Sequence, residues 1–285
     1  MPAMERDILA LINKEDHKFS KGQRLICRYI TENYDKAAFM TAGKLGQTVG
    51  VSESTVVRFA TELGYDGYPG MRRAMQEMIR NRLTAVQRIE VAKEQIDRGN
   101  ILDAVLSADM DKLRSTIDEV SKEDFNRAVD EILKAKTIYI VGMRSSTSLA
   151  SFLGFYLNLL LDNVRLIHDT SVSEVYEQVF RIHEGDVFIG ISYPRYSSRT
   201  IKAMQFAKST GATDGKSSPF VGVADINLFA KSDMVSFLDS LVAPMSLINA
   251  LIVAIGYQRP DNLSDTFRRL EGIWSEYEVY ENLDD

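Results

Sequence analysis

Two short stretches place serine hydroxyls and arginine guanidinia directly after β-branched apolar runs. "TIYIVG" leads into "MRSSTS", giving Gly142, Arg144, Ser145 and Ser146. "DVFIGI" leads into "SYPRYSSRT", giving Ser192, Arg195, Tyr196, Ser197, Ser198 and Thr200. Such residues suit an anion. Arginine takes phosphate or carboxylate bidentately, hydroxyls donate hydrogen bonds, and glycine lets the backbone come close. A helix opening after such a loop favours negative charge at its N-terminus. Ordinary N-capping by serine would use the same residues. Neither GxGxxG nor GxxxxGK[ST] occurs, so neither a dinucleotide nor an NTP is indicated and no cofactor is expected.

A third polar cluster lies in "GQTVGVSESTVVRFATELGYDGY", residues 46–68. A helix, a tight turn and a second helix would bring Leu45, Val49, Val51, Val56 and Phe59 inside. Gly50 suits the left-handed turn, and Gly46 is small where the helices come closest. Ser52 is a good N-cap, Val51 and Val56 have hydrophobic-staple spacing, and Gly64 closes the second helix. Glu53, Ser54, Thr55, Val57, Arg58 and Thr61 then remain outside. Short polar residues near a helix start are what a recognition helix offers to base edges in the major groove. The expected DNA contacts are Ser52, Ser54, Thr55 and Arg58, with Lys44 and Tyr68 beside them. A helical corner with a merely solvated face is the alternative.

Acid–base catalysis has less support. His17 falls in the helical region; His168 and His183 flank strands, with only Asp169 and Glu184 as sequence-local carboxylates. Glu174 and Glu177 share one helix turn and read as an exposed face. Cys27, in "RLICRYI", reads as a small core residue, and the scattered histidines give no metal-ligand spacing.

The elements that must position these residues follow from periodicity. Residues 1–80 read as all-helical, with Ser20 and Thr41 as caps, and "LGYDGYPG" as a wing-like turn before a connecting helix. A further helix spans about 101–118, and Ser121 with Asp124 opens another. From 137 the period changes: "TIYIVG", "VRLIH" and "DVFIGIS" alternate with helical stretches 146–161 and 171–182, which argues a parallel sheet. Ligands of such sheets sit beyond the strand carboxyl ends. Expected domains are therefore 1–80, a helical connector at 81–120, and an α/β domain at 121–285.

Composition sets the bounds. The chain has 285 residues, 45% of them hydrophobic, enough to bury a core and to form two domains. One cysteine excludes an internal disulfide and fits a reducing compartment. No N-terminal charged-then-apolar signal is present, and "LASFLGFYLNLLL" is too short to span a bilayer. A cytoplasmic protein with no membrane partner is expected. Residues 1–80 hold 12 Lys/Arg against 10 Asp/Glu, a net of +2, so the remainder of this −6 chain carries −8. A mildly basic module on an acidic body fits nucleic-acid binding only weakly.

Both constellations resemble one family. "TAGKLGQTVGVSESTVVRFATELGYDGYPGMR" is similar to the helix-turn-helix of RpiR/MurR-type bacterial transcriptional regulators. "VGMRSSTSLA", "ISYPRYSSRT" and "DSLVAPMSLINALI" are similar to their sugar-isomerase (SIS) domain. The resemblance implies an all-α helix-turn-helix domain followed by an α/β SIS domain with a parallel sheet flanked by helices. It further implies a homodimer or homotetramer that binds double-stranded operator DNA and answers to a small anionic effector, such as a sugar phosphate. The expected effector residues are Gly142, Arg144, Ser145, Ser146, Ser192, Arg195, Tyr196 and Ser197. The runner-up is a phosphosugar isomerase with a helical extension, although no residue stands out as its base.

Two departures from the family pattern follow. The usual Ser-x-Ser-Gly-x-Thr loop is here Ser192-Tyr193-Pro194-Arg195-Tyr196-Ser197. After "KSTGA" the apolar fourth strand is missing, so either one strand is absent or "FVGVA", 220–224, slides into its place. Sliding is the expectation, because an interior gap would expose two unpaired edges.

Overall fold

The computed structural model describes residues 8, 11, 12, 19–80, 84, 86–89, 100–168, 171–207, 210–213, 222–234 and 238–280. His17, Asp169, residues 90–99 and most of "ERDILALIN" lie outside them. The chain divides into two compact units, 1–104 with 234–238, and 105–233 with 239–285. None of the helices among the described residues is long and apolar enough to cross a membrane.

The first unit is helical. α1 (Lys21–Glu32) opens on a capping box in which Ser20 and Gln23 satisfy each other's backbone amides. α2 (Tyr34–Ala37) is a single turn; α3 (Ala42–Val49) is capped by Thr41, and α4 (Glu53–Glu62) by Ser52. α5 (Gly67–Arg80) follows. Ile26, Ile30, Leu45, Val56, Phe59, Met71 and Met75 fill one core, with Phe19 edge-on to Phe59 at 5.3 Å between centroids. No wing forms between α4 and α5: Gly64 and Gly67 take left-handed backbone and the next helix starts at once. The expected connecting helix is also reset at Thr84, where Thr84 and Gln87 form a second reciprocal cap.

The second unit begins with α6 (Ile101–Glu119), whose first four residues belong to the first unit. α7 (Lys122–Lys134), capped by Ser121, precedes the sheet. Strands β1 (Ile138–Gly142), β2 (Val164–Ile167), β3 (Val187–Ile191), β4 (Thr210–Thr213) and β5 (Asn227–Phe229) pair in parallel in the order β2-β1-β3-β4-β5. Between them run α8 (Ser146–Leu160), α9 (Val172–Val179) and α10 (Ser198–Ala207); α11 (Val242–Tyr257) and α12 (Pro260–Glu276) end the chain.

Alternation along β1 builds the layers. Ile138 and Ile140 pack with α7, α8 and α11, while Tyr139 and Val141 pack with α9 and α10 on the other face. Because every strand runs the same way, the loops into α8 and α10 leave from one rim. The fourth strand is neither absent nor replaced. Residues 210–213 themselves pair with β3, and 222–223 lie in a turn. Four residues suffice because Ile189, Gly190 and Ile191 need only three partners. Residues 214–221 lie outside the described set.

Candidate functional site

The α3–α4 corner is built by its glycines and caps. Gly50 has φ 77° and ends α3. A Cβ on Gly46 would lie 2.8 Å from the Val51 carbonyl oxygen, so only glycine lets α3 approach the turn this closely. Leu45, Val56 and Phe59 are fully buried, and Val49 and Val51 are partly so. The expected inner face is formed.

On the outside, Lys44, Ser52, Glu53, Ser54, Val57, Arg58 and Thr61 are exposed, and Thr55 is half-buried. The Ser52 hydroxyl accepts from the Thr55 amide at 3.3 Å and lies 2.9 Å from Ser54 Oγ and 2.8 Å from Thr55 Oγ1. A tied group of three hydroxyls therefore stands at the α4 N-terminus, where the helix dipole favours a phosphate. Arg58 lies one turn further along, on the exposed face.

Tyr68 departs from expectation. It is only 4% exposed, and its phenol donates to the Met40 carbonyl at 2.9 Å. Burial raises its pKa to about 12, against a smaller lowering by Arg72. It braces the corner from inside, so it cannot serve as a surface contact. The aromatic in "GYDGY" gave no sign of its direction, because that depends on α5 starting at Gly67.

The second constellation lies at the strand-end rim. β1 and β3 are neighbours, with Gly142 opposite Ile191. Strand order reverses between them, which is the switch point where ligands of open α/β sheets bind. A Cβ on Gly142 would lie 2.3 Å from the Ser146 carbonyl oxygen, so the α8 start presses on the strand end. Arg144 and Arg195 are exposed and both take left-handed backbone, φ 58° and 64°.

Much of the hydroxyl chemistry serves the backbone. Ser192 Oγ accepts from the Ser197 amide at 3.3 Å, and Ser197 Oγ from the Thr200 amide at 3.4 Å. Thr147 donates to the Gly142 carbonyl and Ser148 to that of Ser145, while the amides of Ser146 and Thr147 bond back to Met143 and Arg144 carbonyls. Ser145, at the α8 N-cap, makes no side-chain cap. Ser146 and Ser192 are buried, and Tyr196 is half-buried. Thr200, the last residue of the polar run "SYPRYSSRT", has a fully buried hydroxyl with no hydrogen-bond partner among the described residues. Its place in the first turn of α10, after "YSS", was the only sequence signal.

Two clefts lie apart from this group. One, of about 320 Å³, is lined by Arg165, Ile167, Glu177, Gln178, Phe180 and Arg181; the other, of about 250 Å³, by apolar residues of α8, α11 and α12. Of the two described histidines, His168 follows β2 at this same rim and His183 does not. His183 pairs at 2.9 Å with Asp186, not with Glu184, and this pair precedes β3, at the opposite end of the strands. His168 uses its backbone to bind Gln178.

Residues 6–82 match the helix-turn-helix domain, rpiR family, and residues 131–254 match the SIS domain. An uncharacterised HTH-type transcriptional regulator of Caldanaerobacter subterraneus is 23% identical over 277 residues, covering 93% of this chain and 95% of that protein. The HTH-type transcriptional regulator HexR of Pseudomonas aeruginosa is 22% identical over 277 residues, with the same coverage of 93% and 95%. Among solved structures, NanR of Vibrio vulnificus, complexed with ManNAc-6P, superposes with a TM-score of 0.56 at 20% identity, over 97% of this chain and 100% of that one. The sugar isomerase domain of an RpiR transcription factor from Sphaerobacter thermophilus gives a TM-score of 0.57 at 25% identity, covering 60% and 98%.

Proposed function

This chain is an rpiR-family helix-turn-helix domain followed by a SIS domain, and on that premise we propose that it is a transcriptional regulator answering to a phosphorylated sugar. The observation that carries the reading is the α3–α4 corner, with its glycine turn, its Ser52 cap and its exposed Ser54 and Arg58. α4 enters the major groove, Arg58 meets a guanine or a phosphate, and Ser52, Ser54, Thr55 and Lys44 hold the backbone. Dimeric binding places two such helices about one helical turn of DNA apart, or a multiple of it.

The effector site is the β1–β3 rim, where Gly142, Arg144, Ser145, Ser146, Ser192, Arg195, Tyr196 and Ser197 converge. The register of Gly142 with Ile191 supports this, as does the buried Thr200 hydroxyl. A sugar phosphate is the class that suits two arginines beside hydroxyls, and the Vibrio vulnificus NanR complex contains one. The proposed role is binding: the His183–Asp186 pair lies before β3, at the opposite end of the strands, and His168 at the rim makes its described bonds through its backbone. To alter transcription, the ligand must bind two arrangements of the protein unequally.

The test is a fluorescence-anisotropy titration of the chain against DNA from upstream of its own gene, with and without a panel of sugar phosphates. Saturable, salt-sensitive binding that one sugar phosphate shifts at least fivefold is expected. Turnover of a sugar phosphate without operator binding would establish the isomerase reading instead.

A further inference from the structure

β2 stands at one edge of the sheet, beside β1. The Ile138 amide donates to the Asn163 carbonyl at 2.8 Å, and in that register Arg165 and Ile167 turn their backbone groups towards β1. Val164, Leu166 and His168 turn theirs outward. At His168 the outward places are filled. The Gln178 side-chain amide accepts from its N–H at 2.9 Å and donates to its carbonyl at 3.0 Å. Those are the two bonds that a residue of an antiparallel neighbour would exchange with it. Gln178 thus closes the carboxyl end of the edge. Among the described residues, no bond reaches the outward groups of Val164 and Leu166.

Beside this open edge stand two arginines that no carboxylate holds. The cleft of about 320 Å³ is lined by Arg165 and Leu166 of β2 and by Gln178, Phe180 and Arg181 at the end of α9. Arg165 lies 5.5 Å over the ring of Tyr139, its register partner on β1, so its side chain stands on the α9 face. Arg181 lies 5.1 Å over Phe180, which is 61% exposed. The aromatic faces orient both guanidinia and leave their hydrogen-bond donors unspent. Glu177 lines the same cleft, yet among the described residues neither arginine makes an ion pair. A strand added to β2 sets one residue abreast of Arg165 with its side chain on that same face. A carboxylate is the side chain that two such guanidinia select.

We propose that the β2 edge and its cleft dock an extended acidic segment of a partner protein, which joins the sheet as a strand and sets a carboxylate against Arg165 and Arg181. The open backbone of Val164 and Leu166 holds the segment, and the arginines choose it. This goes beyond the DNA and effector reading and depends on neither.

The test titrates the full chain with a fluorescent, end-blocked heptapeptide of alternating valine and threonine around one central glutamate. Saturable binding is expected, about fivefold or more tighter than for the same peptide with a central glutamine. Arg165→Ala and Arg181→Ala should each weaken it by about the same factor, with an unchanged circular dichroism melt, since both side chains are exposed. By NMR, hydrogen exchange at the Leu166 amide should slow about tenfold or more on binding, while that of Ile167, already turned to β1, stays as it was. No binding, equal affinity for the glutamine peptide, full affinity in both arginine variants, or binding without protection at Leu166 would each overturn the proposal. Displacement of the peptide by single-stranded DNA or inorganic phosphate at equal concentration would also overturn it, and would give the cleft to another anion.

Discussion

Arg144 and Arg195 hold matching left-handed backbone at the exits of neighbouring strands, two residues past Gly142 and four past its register partner Ile191. For non-glycine residues this conformation costs about 1 kcal/mol or more each. Two such outliers side by side at a switch point direct attention to what the arginines hold. Arg195→Gly separates the two effects. We predict that it keeps or gains up to about 1 kcal/mol of stability, while calorimetry shows at least a tenfold loss of affinity for the proposed sugar-phosphate ligand. Equal affinity would make Arg195 a structural residue.

Gly142→Ala tests the contact between the α8 start and the β1 end. Its Cβ would meet backbone at 2.3 Å, which no rotamer can relieve. We predict a loss of about 2–3 kcal/mol in the chemical unfolding of the SIS domain, with the helical domain's transition unmoved. A fully stable variant would show that α8 can retreat, and with it the geometry assigned to the rim.

Arg58→Ala tests the recognition face. The side chain is exposed and far from the core, so the fold should survive, while operator affinity falls by about 1–3 kcal/mol if a base is read. Loss of the salt slope by about one unit, with sequence preference intact, would instead place Arg58 on phosphate. No change in either measurement removes it from the interface.

Tyr68→Phe should show the opposite pattern. It deletes the phenol's bond to the Met40 carbonyl and leaves that carbonyl inside the unit, costing about 1–2 kcal/mol of stability with little direct effect on DNA affinity. The tyrosine also predicts a pH dependence. Its folded pKa, about 12, lies above the ordinary 10.0, so its contribution is full below pH 10 and is lost as the pH rises from 10 towards 12. A parent chain and Tyr68→Phe that lose stability in parallel over this window would contradict the assignment.

The helix-turn-helix was legible because its determinants are local. Gly46, Gly50, Ser52 and the Val51–Val56 spacing each act within a turn of themselves. The two loops of the rim were legible because each polar run directly follows a β-branched one. What escaped was set by distant partners. Tyr68 turns inward because α5 starts without a wing. "TGAT" showed no apolar run, yet residues 210–213 make a strand because β3 offers an edge and β5 covers the other side. His183 chose Asp186, three residues on, because the turn before β3 brings both together.

The one-way sheet has a kinetic consequence. It gathers its loops and helix starts at a single rim, on the part of the chain that carries −8. A sugar phosphate of the proposed kind would feel the repulsion of the whole body first and the arginines only on arrival. At about 0.1 M salt the Debye length is about 10 Å, so added salt removes the distant barrier before it weakens the close contacts. Entry should quicken with ionic strength, and departure should quicken too. The salt content of the cell would then act on how fast the site exchanges its occupant, more than on how often it is filled.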